Sequence, residues 1–340
     1  MVGEYVDREG VPAMLRIAFI GTGGIAGRYL RTLVAEREAG RATLVGACDL
    51  VTERAAKAAQ PFGAKVHADW RRLLEAEPYD AVFVCVPPFA HEGQEEEIVG
   101  RGSHLFVAKP VALSVAHARG VLAAVRRAGV LASSGYMWRY SDINDRVRAV
   151  LAGRTLGLVL GTYVNPLPGT PWWRVKAQSG GQMVEQTTHV FDLARFFAGE
   201  VEAVSCFGTL GMLADVPGMA TEDASVCNLR FVSGAVGNIS SSCAAERGGR
   251  VDLEVVARGA LVRYNCWGSF QAWVDGGEIS ARNVGDPYDA VVRSFLDAVR
   301  TGDPGLLRSP YADAAQTLAV TEAAERSLSA GGERVPVERV

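Results

Sequence analysis

The stretch Leu15-Arg16-Ile17-Ala18-Phe19-Ile20-Gly21-Thr22-Gly23-Gly24-Ile25-Ala26 decides the fold of the first third of the chain. Its first six residues are mostly apolar and read as a buried strand. The glycines at 21, 23 and 24 then make a turn, and a helix-forming run continues to about Glu38. The turn fits G-x-G-x-x-(G/A), and its position between a strand and a helix gives the match its meaning. Gly21 allows the tight bend, and Gly23 lets backbone approach a pyrophosphate. Gly24 and Ile25 open the helix whose N-terminus would face that group, and Ala26 keeps helix and strand close. The expected ligand is a dinucleotide.

Working outward, apolar runs at 43–48, 81–86 and 104–107 read as further strands. Helical runs at 52–60, 70–77, 91–101 and 114–128 separate them. Strands alternating with helices imply parallel βαβ units with right-handed crossovers. Asp49 stands at the end of the second strand, where a carboxylate can accept from both ribose hydroxyls and would repel a 2′-phosphate. Leu50 follows, so no adjacent arginine favours the phosphorylated cofactor, and NAD is expected rather than NADP. The other reading of Asp49 is a helix cap ahead of Thr52. Val86-Pro87-Pro88 closes another strand at the carboxyl edge of the sheet, and His91 follows, to touch the cofactor or to cap a helix.

The pattern changes near Ser133. Runs at 158–164, 203–210, 224–232, 235–241, 251–257 and 260–264 are short, often alternate, and end at turn glycines such as Gly234 and Gly259. They imply a largely antiparallel sheet, interrupted by helices at 182–198, 288–300 and 312–328. The expected architecture is an α/β Rossmann domain with a parallel doubly wound sheet over 13–134. An α+β domain with a large, open, mainly antiparallel sheet is expected over 135–340.

The 340 residues suffice for two cores, with 49% hydrophobic and 21% charged residues. A net charge of -3 offers no field for nucleic acid or an anionic membrane. No apolar stretch is long enough to span a bilayer, and the polar residues 1–13 do not resemble a signal peptide. A cytoplasmic protein is expected. Cys48, Cys85, Cys206, Cys227, Cys243 and Cys266 form no CxxC pair and read as reduced, buried thiols. No His/Cys/Asp cluster has zinc spacing, so no metal is expected. Glu95-Glu96-Glu97 reads as a solvated helix face.

On one helix over 182–198, Glu185, His189 and Asp192 fall at i, i+4 and i+7 and share a face. Such a triad on an otherwise apolar helix suits a cleft wall. The same spacing also fits a solvated face with one satisfied histidine. Lys109 follows a strand, and Pro110 restricts it to extended geometry, which can aim its ammonium into a crevice.

Three stretches carry a resemblance: the glycine turn, Ala108-Lys109-Pro110, and Ser179-Gly180-Gly181-Gln182-Met183-Val184-Glu185-Gln186-Thr187-Thr188-His189-Val190-Phe191-Asp192. The segments 288–302 and Tyr311-Ala312-Asp313-Ala314 add to it. The chain resembles the glucose-fructose oxidoreductase, inositol dehydrogenase and rhizopine-catabolism family over about 15–335. That resemblance implies an NAD(P)-dependent oxidoreductase acting on a hydroxyl or ketone of a sugar, inositol or related polyol. It implies His189 as general base, Glu185 as its orienting partner, and Lys109 at the reacting oxygen. Two residues depart from the family pattern: Ala108 stands where Glu is usual, and Glu185 where Asp is more frequent. Tyr136 and Arg139, in Tyr136-Met137-Trp138-Arg139-Tyr140, and Trp173, in Pro171-Trp172-Trp173-Arg174, suit a sugar face, suit the nicotinamide end of the cofactor, or pack a hinge. With Lys109 and His189 they are the expected substrate contacts. A homodimer or homotetramer through the open sheet is implied by resemblance. The same scaffold also carries redox-neutral glycoside cleavage and non-enzymatic dinucleotide sensing.

Overall fold

Short apolar runs alternate with helices from residue 15 onward because the central strands bury on both faces. In the computed structural model, which describes residues 14–340, all four residues of the central strand Ala81–Val84 are buried. The expectation for residues 1–13 lies outside the described residues.

The chain divides into two compact units. The first holds β1 (Leu15–Ile20), α1 (Gly24–Glu38), β2 (Ala42–Cys48), α2 (Thr52–Ala59), β3 (Lys65–His67), α3 (Trp70–Ala76), β4 (Ala81–Val84), α4 (Gln94–Gly100), β5 (His104–Val107), α5 (Val115–Ala128) and β6 (Ala132–Ser134). Its strands lie in the order β3-β2-β1-β4-β5-β6, all parallel. Chain order reverses between β1 and β4, which makes their carboxyl ends the switch point of a doubly wound sheet. The short strand β3, with its exposed lysine and valine, carries no apolar signal in the sequence.

Later elements are α6 (Asn144–Leu151), β7 (Leu156–Val164), α7 (Lys176–Ser179), α8 (Gln182–Glu185), α9 (Thr188–Ala198), β8 (Val201–Thr209), β9 (Ala224–Phe231), β10 (Val236–Ser242), β11 (Arg250–Ala257), β12 (Ala260–Asn265), β13 (Ser269–Val274), β14 (Gly277–Arg282), α10 (Pro287–Thr301), α11 (Tyr311–Ser329) and β15 (Val335–Pro336). The second unit's nine-stranded sheet runs β14-β13-β12-β11-β7-β10-β9-β8-β15. It is antiparallel except where β10 lies parallel to β7. Alternating burial along β9 and β11 marks one covered face. Helix α9 approaches that face at Gly161, where a Cβ would meet Val190 Cγ1 at 2.5 Å.

The boundary differs from the expected one. The first unit runs to Tyr140 and regains Pro287–Ala314, while Ala112–Val115 joins the second. The cause is packing that no local pattern reveals. Phe295 of α10 is fully buried against Phe83 and Phe106, at 5.5 and 5.3 Å between ring centroids. Burying such a side chain contributes about 1.5–3 kcal/mol. Thr32 of α1 also donates to Asp289 of α10 at 2.6 Å.

The cysteine expectation is corrected in part. Cys206 and Cys227 stand opposite one another on β8 and β9 and form a disulfide. Cys48, Cys85, Cys243 and Cys266 are free and buried. Burial pushes the thiols of Cys48 and Cys243 up to about 12 and about 11, which leaves them unreactive near neutrality. Among the described residues no helix is long and apolar enough to cross a membrane.

Candidate active site

At the switch point Gly21 has φ +84°, and a Cβ there would lie 2.6 Å from the Cys85 carbonyl oxygen. Only glycine lets the β1–α1 turn press against the end of β4. Nothing lies within 4 Å of a Cβ built on Gly23 or Gly24, so the N-terminus of α1 opens onto free space. Gly23 caps that helix without any side-chain bond. Its first N–H groups are therefore available to an anion. Ala26 is fully buried beneath them, and Ile25 is half-buried.

Asp49 leaves the carboxyl end of β2 and turns back to the glycine turn. Its Oδ2 accepts from Thr22 N at 2.8 Å and Thr22 Oγ1 at 3.0 Å, and its Oδ1 accepts from Val51 N at 2.9 Å. The N-cap of α2 is Val51, so the capping reading of Asp49 fails. Leu50 beside it is 92% exposed, an open apolar surface. Val86 and Pro87 are half-buried and Pro88 is buried at the end of β4. Ala108 N bonds Val84 O at 2.9 Å, which sets the Lys109-Pro110 segment beside that strand end. Lys109 is half-buried, and its bond to Pro110 is cis, a feature the sequence did not reveal. A free helix terminus, a glycine cradle, a carboxylate at the second strand and an exposed apolar side chain fit a dinucleotide.

Tyr136 and Arg139 are 1% and 4% exposed. The Arg139 guanidinium pairs with Asp313 and donates to the Arg308 carbonyl at 3.1 Å. Tyr140 accepts at its hydroxyl from Arg308 N and Ser309 N. The segment thus fastens 308–313 to the first unit, which is the packing alternative for Arg139.

In the second unit the expected single helix over 182–198 is broken. Thr187 N bonds Gln182 O at 2.9 Å, one residue beyond the α-helical partner, and His189 N reaches Gln186 O at 3.3 Å. Glu185 therefore ends α8, His189 lies in the first turn of α9, and the two do not share a continuous helical face. Trp173 is 1% exposed and donates from Nε1 to Glu185 Oε2 at 2.8 Å. Its ring is a buried support for the carboxylate, where an open sugar platform was expected. His189 is 8% exposed. Asp192, expected on the same face, accepts instead from Thr317 Oγ1 at 2.8 Å, and that hydroxyl accepts from Arg195 at 2.7 Å. It fastens α9 to α11.

The Gly180-Gly181 turn before α8 has a specific physical cause. Both residues have positive φ, and a Cβ on Gly181 would lie 2.5 Å from Glu325 Oε1. Lys176 pairs with Glu325 at 2.7 Å and also with Glu222. Burial pushes the Glu325 carboxyl up to about 7 against the pull of Lys176. No local pattern announces this charged support, since its members lie far apart along the chain.

His91 follows a short turn over Pro88–Ala90 and pairs through Nδ1 with Glu95 of α4. Glu95 is fully buried, which corrects the reading of 95–97 as a solvated face; only Glu97 is exposed. His117 of α5 joins them, its ring 6.3 Å from that of His91 and nearly perpendicular to it.

Comparison with known proteins agrees with this layout. Residues 15–136 match a family model described as an oxidoreductase family with an NAD-binding Rossmann fold, and residues 145–262 match the GFO/IDH/MocA C-terminal domain. The myo-inositol 2-dehydrogenase of Thermotoga maritima is 26% identical over 328 residues, covering 92% of this chain and 96% of its own. An uncharacterized oxidoreductase, YrbE, of Bacillus subtilis is 29% identical over 194 residues, and the alignment spans about half of each protein, 56%. Among solved structures, GenD2 from gentamicin A biosynthesis in complex with NAD superposes with a TM-score of 0.82 at 25% identity. That match covers 96% of this chain and 97% of GenD2.

Proposed function

The chain belongs to the GFO/IDH/MocA oxidoreductase family, and from that premise we propose that it moves a hydride between NAD and a CH–OH carbon of a cyclitol, sugar or related polyol. The observation that carries the cofactor half is the Asp49 carboxylate, bonded to Thr22 of the glycine turn and flanked by the exposed Leu50. Gly21, Gly23, Gly24 and Ile25 would hold the pyrophosphate, Asp49 the ribose hydroxyls and Leu50 the adenine. Val86, Pro87, Pro88 and Pro110 border the nicotinamide end, whereas the expected cofactor contact His91 has its side chain buried against Glu95. Bound NAD supplies the hydride acceptor.

The protein's own task is the proton. An alcohol losing hydride must also lose its hydroxyl proton, and His189 takes it, with imidazole suited to exchange near neutral pH. Lys109 supplies an ammonium suited to stabilising developing negative charge on a reacting oxygen. Glu185, fixed by the Trp173 indole, is the partner that the family resemblance gives this histidine. In reduction the roles reverse. Tyr136 and Arg139 act through packing, as does Trp173. The polyol class rests on family membership and on the inositol-acting relative. The open face of the second unit's sheet, with Arg250, Asp252, Glu254 and Arg263 around a concavity of about 870 Å³, is the surface we assign to self-association.

The test is a screen of purified protein with NAD, and separately NADP, against inositols, aldoses, alditols and glycosides, following reduced nicotinamide. Substrate-dependent reduction that is faster with NAD supports the proposal. Silence across the panel in protein that binds NAD would reject it.

A further inference from the structure

The cluster formed by His91, Glu95 and His117 belongs to the first unit and has no part in the proton chemistry above. One ligating atom from each lies within 4.8 Å of the other two. The three come from separate places in the chain: the turn after β4, helix α4 and helix α5. No linear zinc motif links them, and only the i, i+4 spacing of His91 and Glu95 is local.

A carboxylate removed from water is costly unless it is compensated. The Glu95 side chain is 0% exposed and that of His91 3%. His91 engages Glu95 Oε1, but Glu95 Oε2 is buried without a hydrogen-bond partner. A hydrogen bond to one imidazole therefore satisfies half of the carboxylate. Glu96, the next residue, is half-buried and adds negative charge. The surroundings favour a cation.

We propose that His91, Glu95 and His117 form a binding site for a divalent transition-metal ion of the zinc class, joining the β4–α4 turn to helix α5. The donor set selects the ion class. Two imidazole nitrogens and one carboxylate oxygen suit Zn²⁺, Co²⁺ or Ni²⁺, whereas Ca²⁺ and Mg²⁺ take oxygen shells. Three protein ligands leave one position of a tetrahedron for water or a further protein atom. Ligand atoms around Zn²⁺ stand about 2.0–2.2 Å from the ion, so they lie roughly 3.3 Å apart. On binding, the His91–Glu95 contact would open and the third ligand would draw in. The ion replaces the proton shared by His91 and Glu95 and also contacts the carboxylate's unsatisfied side.

The test uses full-length, untagged protein stripped with a chelator. Zn²⁺ affinity and stoichiometry are measured by competition with a chromophoric chelator, and Co²⁺ is added separately to read its visible ligand-field spectrum. The proposal predicts one Zn²⁺ per chain, a four-coordinate Co²⁺ spectrum, and a rise in melting temperature on adding Zn²⁺. Loss of an outer partner alone costs about 10–100-fold in metal affinity. His117→Asn and Glu95→Gln, each verified as folded by NAD binding and circular dichroism, should therefore weaken Zn²⁺ by at least about 100-fold and abolish the Co²⁺ spectrum. No binding at micromolar free Zn²⁺ in the wild type would overturn the proposal. Binding that both variants retain would put the ion elsewhere and overturn it equally. If Glu95→Gln fails to fold, His117→Asn decides alone.

Discussion

The glycine turn of the first unit and the Glu185–His189 segment of the second build their candidate groups in opposite ways. The turn is local: six strand residues, three glycines and a helix follow one another, and the sheet needs only to bring β2 and β4 alongside. The Glu185–His189 segment depends on distant residues. Trp173 fixes Glu185, Gly181 rests on Glu325, and Thr317 holds Asp192. A local motif positions a binding surface, whereas a polar group on a buried helix needs partners from elsewhere in the fold to set its direction.

Lys109 is the most sensitive position. Lys109→Ala should lower kcat by about 10²–10³-fold and leave the melting temperature within a degree or two, as a half-buried side chain outside the core allows. A large fall in stability with intact kcat would make it structural. Next comes the turn itself. Gly21→Ala puts a Cβ against the Cys85 carbonyl at positive φ and should cost about 1–3 kcal/mol in chemical denaturation, with loss of NAD binding. An unchanged midpoint would refute the tight-turn account. Asp49→Asn, which keeps the Thr22 contact but removes the charge, should shift the NAD-to-NADP preference toward NADP by about tenfold, near 1.4 kcal/mol, read from the two dissociation constants. An unchanged ratio would remove Asp49 from the ribose.

The smallest effect sharpens the second unit. Glu325 has a folded pKa of about 7 against an ordinary 4.5. The folded state therefore binds its proton more tightly, and stability from this group is full below pH 4.5 and declines as pH rises toward 7. Glu325→Gln should flatten that slope and gain on the order of 1 kcal/mol at pH 8 relative to wild type. Parallel pH profiles of unfolding free energy would show Glu325 to be ionised already at low pH.

What was legible in the sequence follows the same division. The Rossmann order, the Asp49 position and the antiparallel second sheet came from periodicity and turn residues, because those elements are specified by their own segments. Strands β13 and β14 went unseen because polar and charged residues, such as Gln271 and Arg282, dilute their alternation. Helix α10 looked like part of the second unit until Phe295 was found against Phe83. The break at Gln186-Thr187 has no proline or glycine to announce it, so a single helix was the natural expectation. Trp173 and Arg139 resemble ligand-binding side chains in composition, and only their buried partners reveal a packing role. Glu95 sat in an acidic run, and its burial depends on α5, which meets it through His117.

If the first unit holds the dinucleotide and His189 handles the proton, the His189→Ala variant separates the two roles, with NAD dissociation constant and kcat determined on the same preparation at saturating polyol. The dissociation constant should stay within about twofold of wild type while kcat falls by about 10²–10⁴-fold. A preserved kcat, or a loss explained entirely by weaker NAD binding, would overturn this assignment.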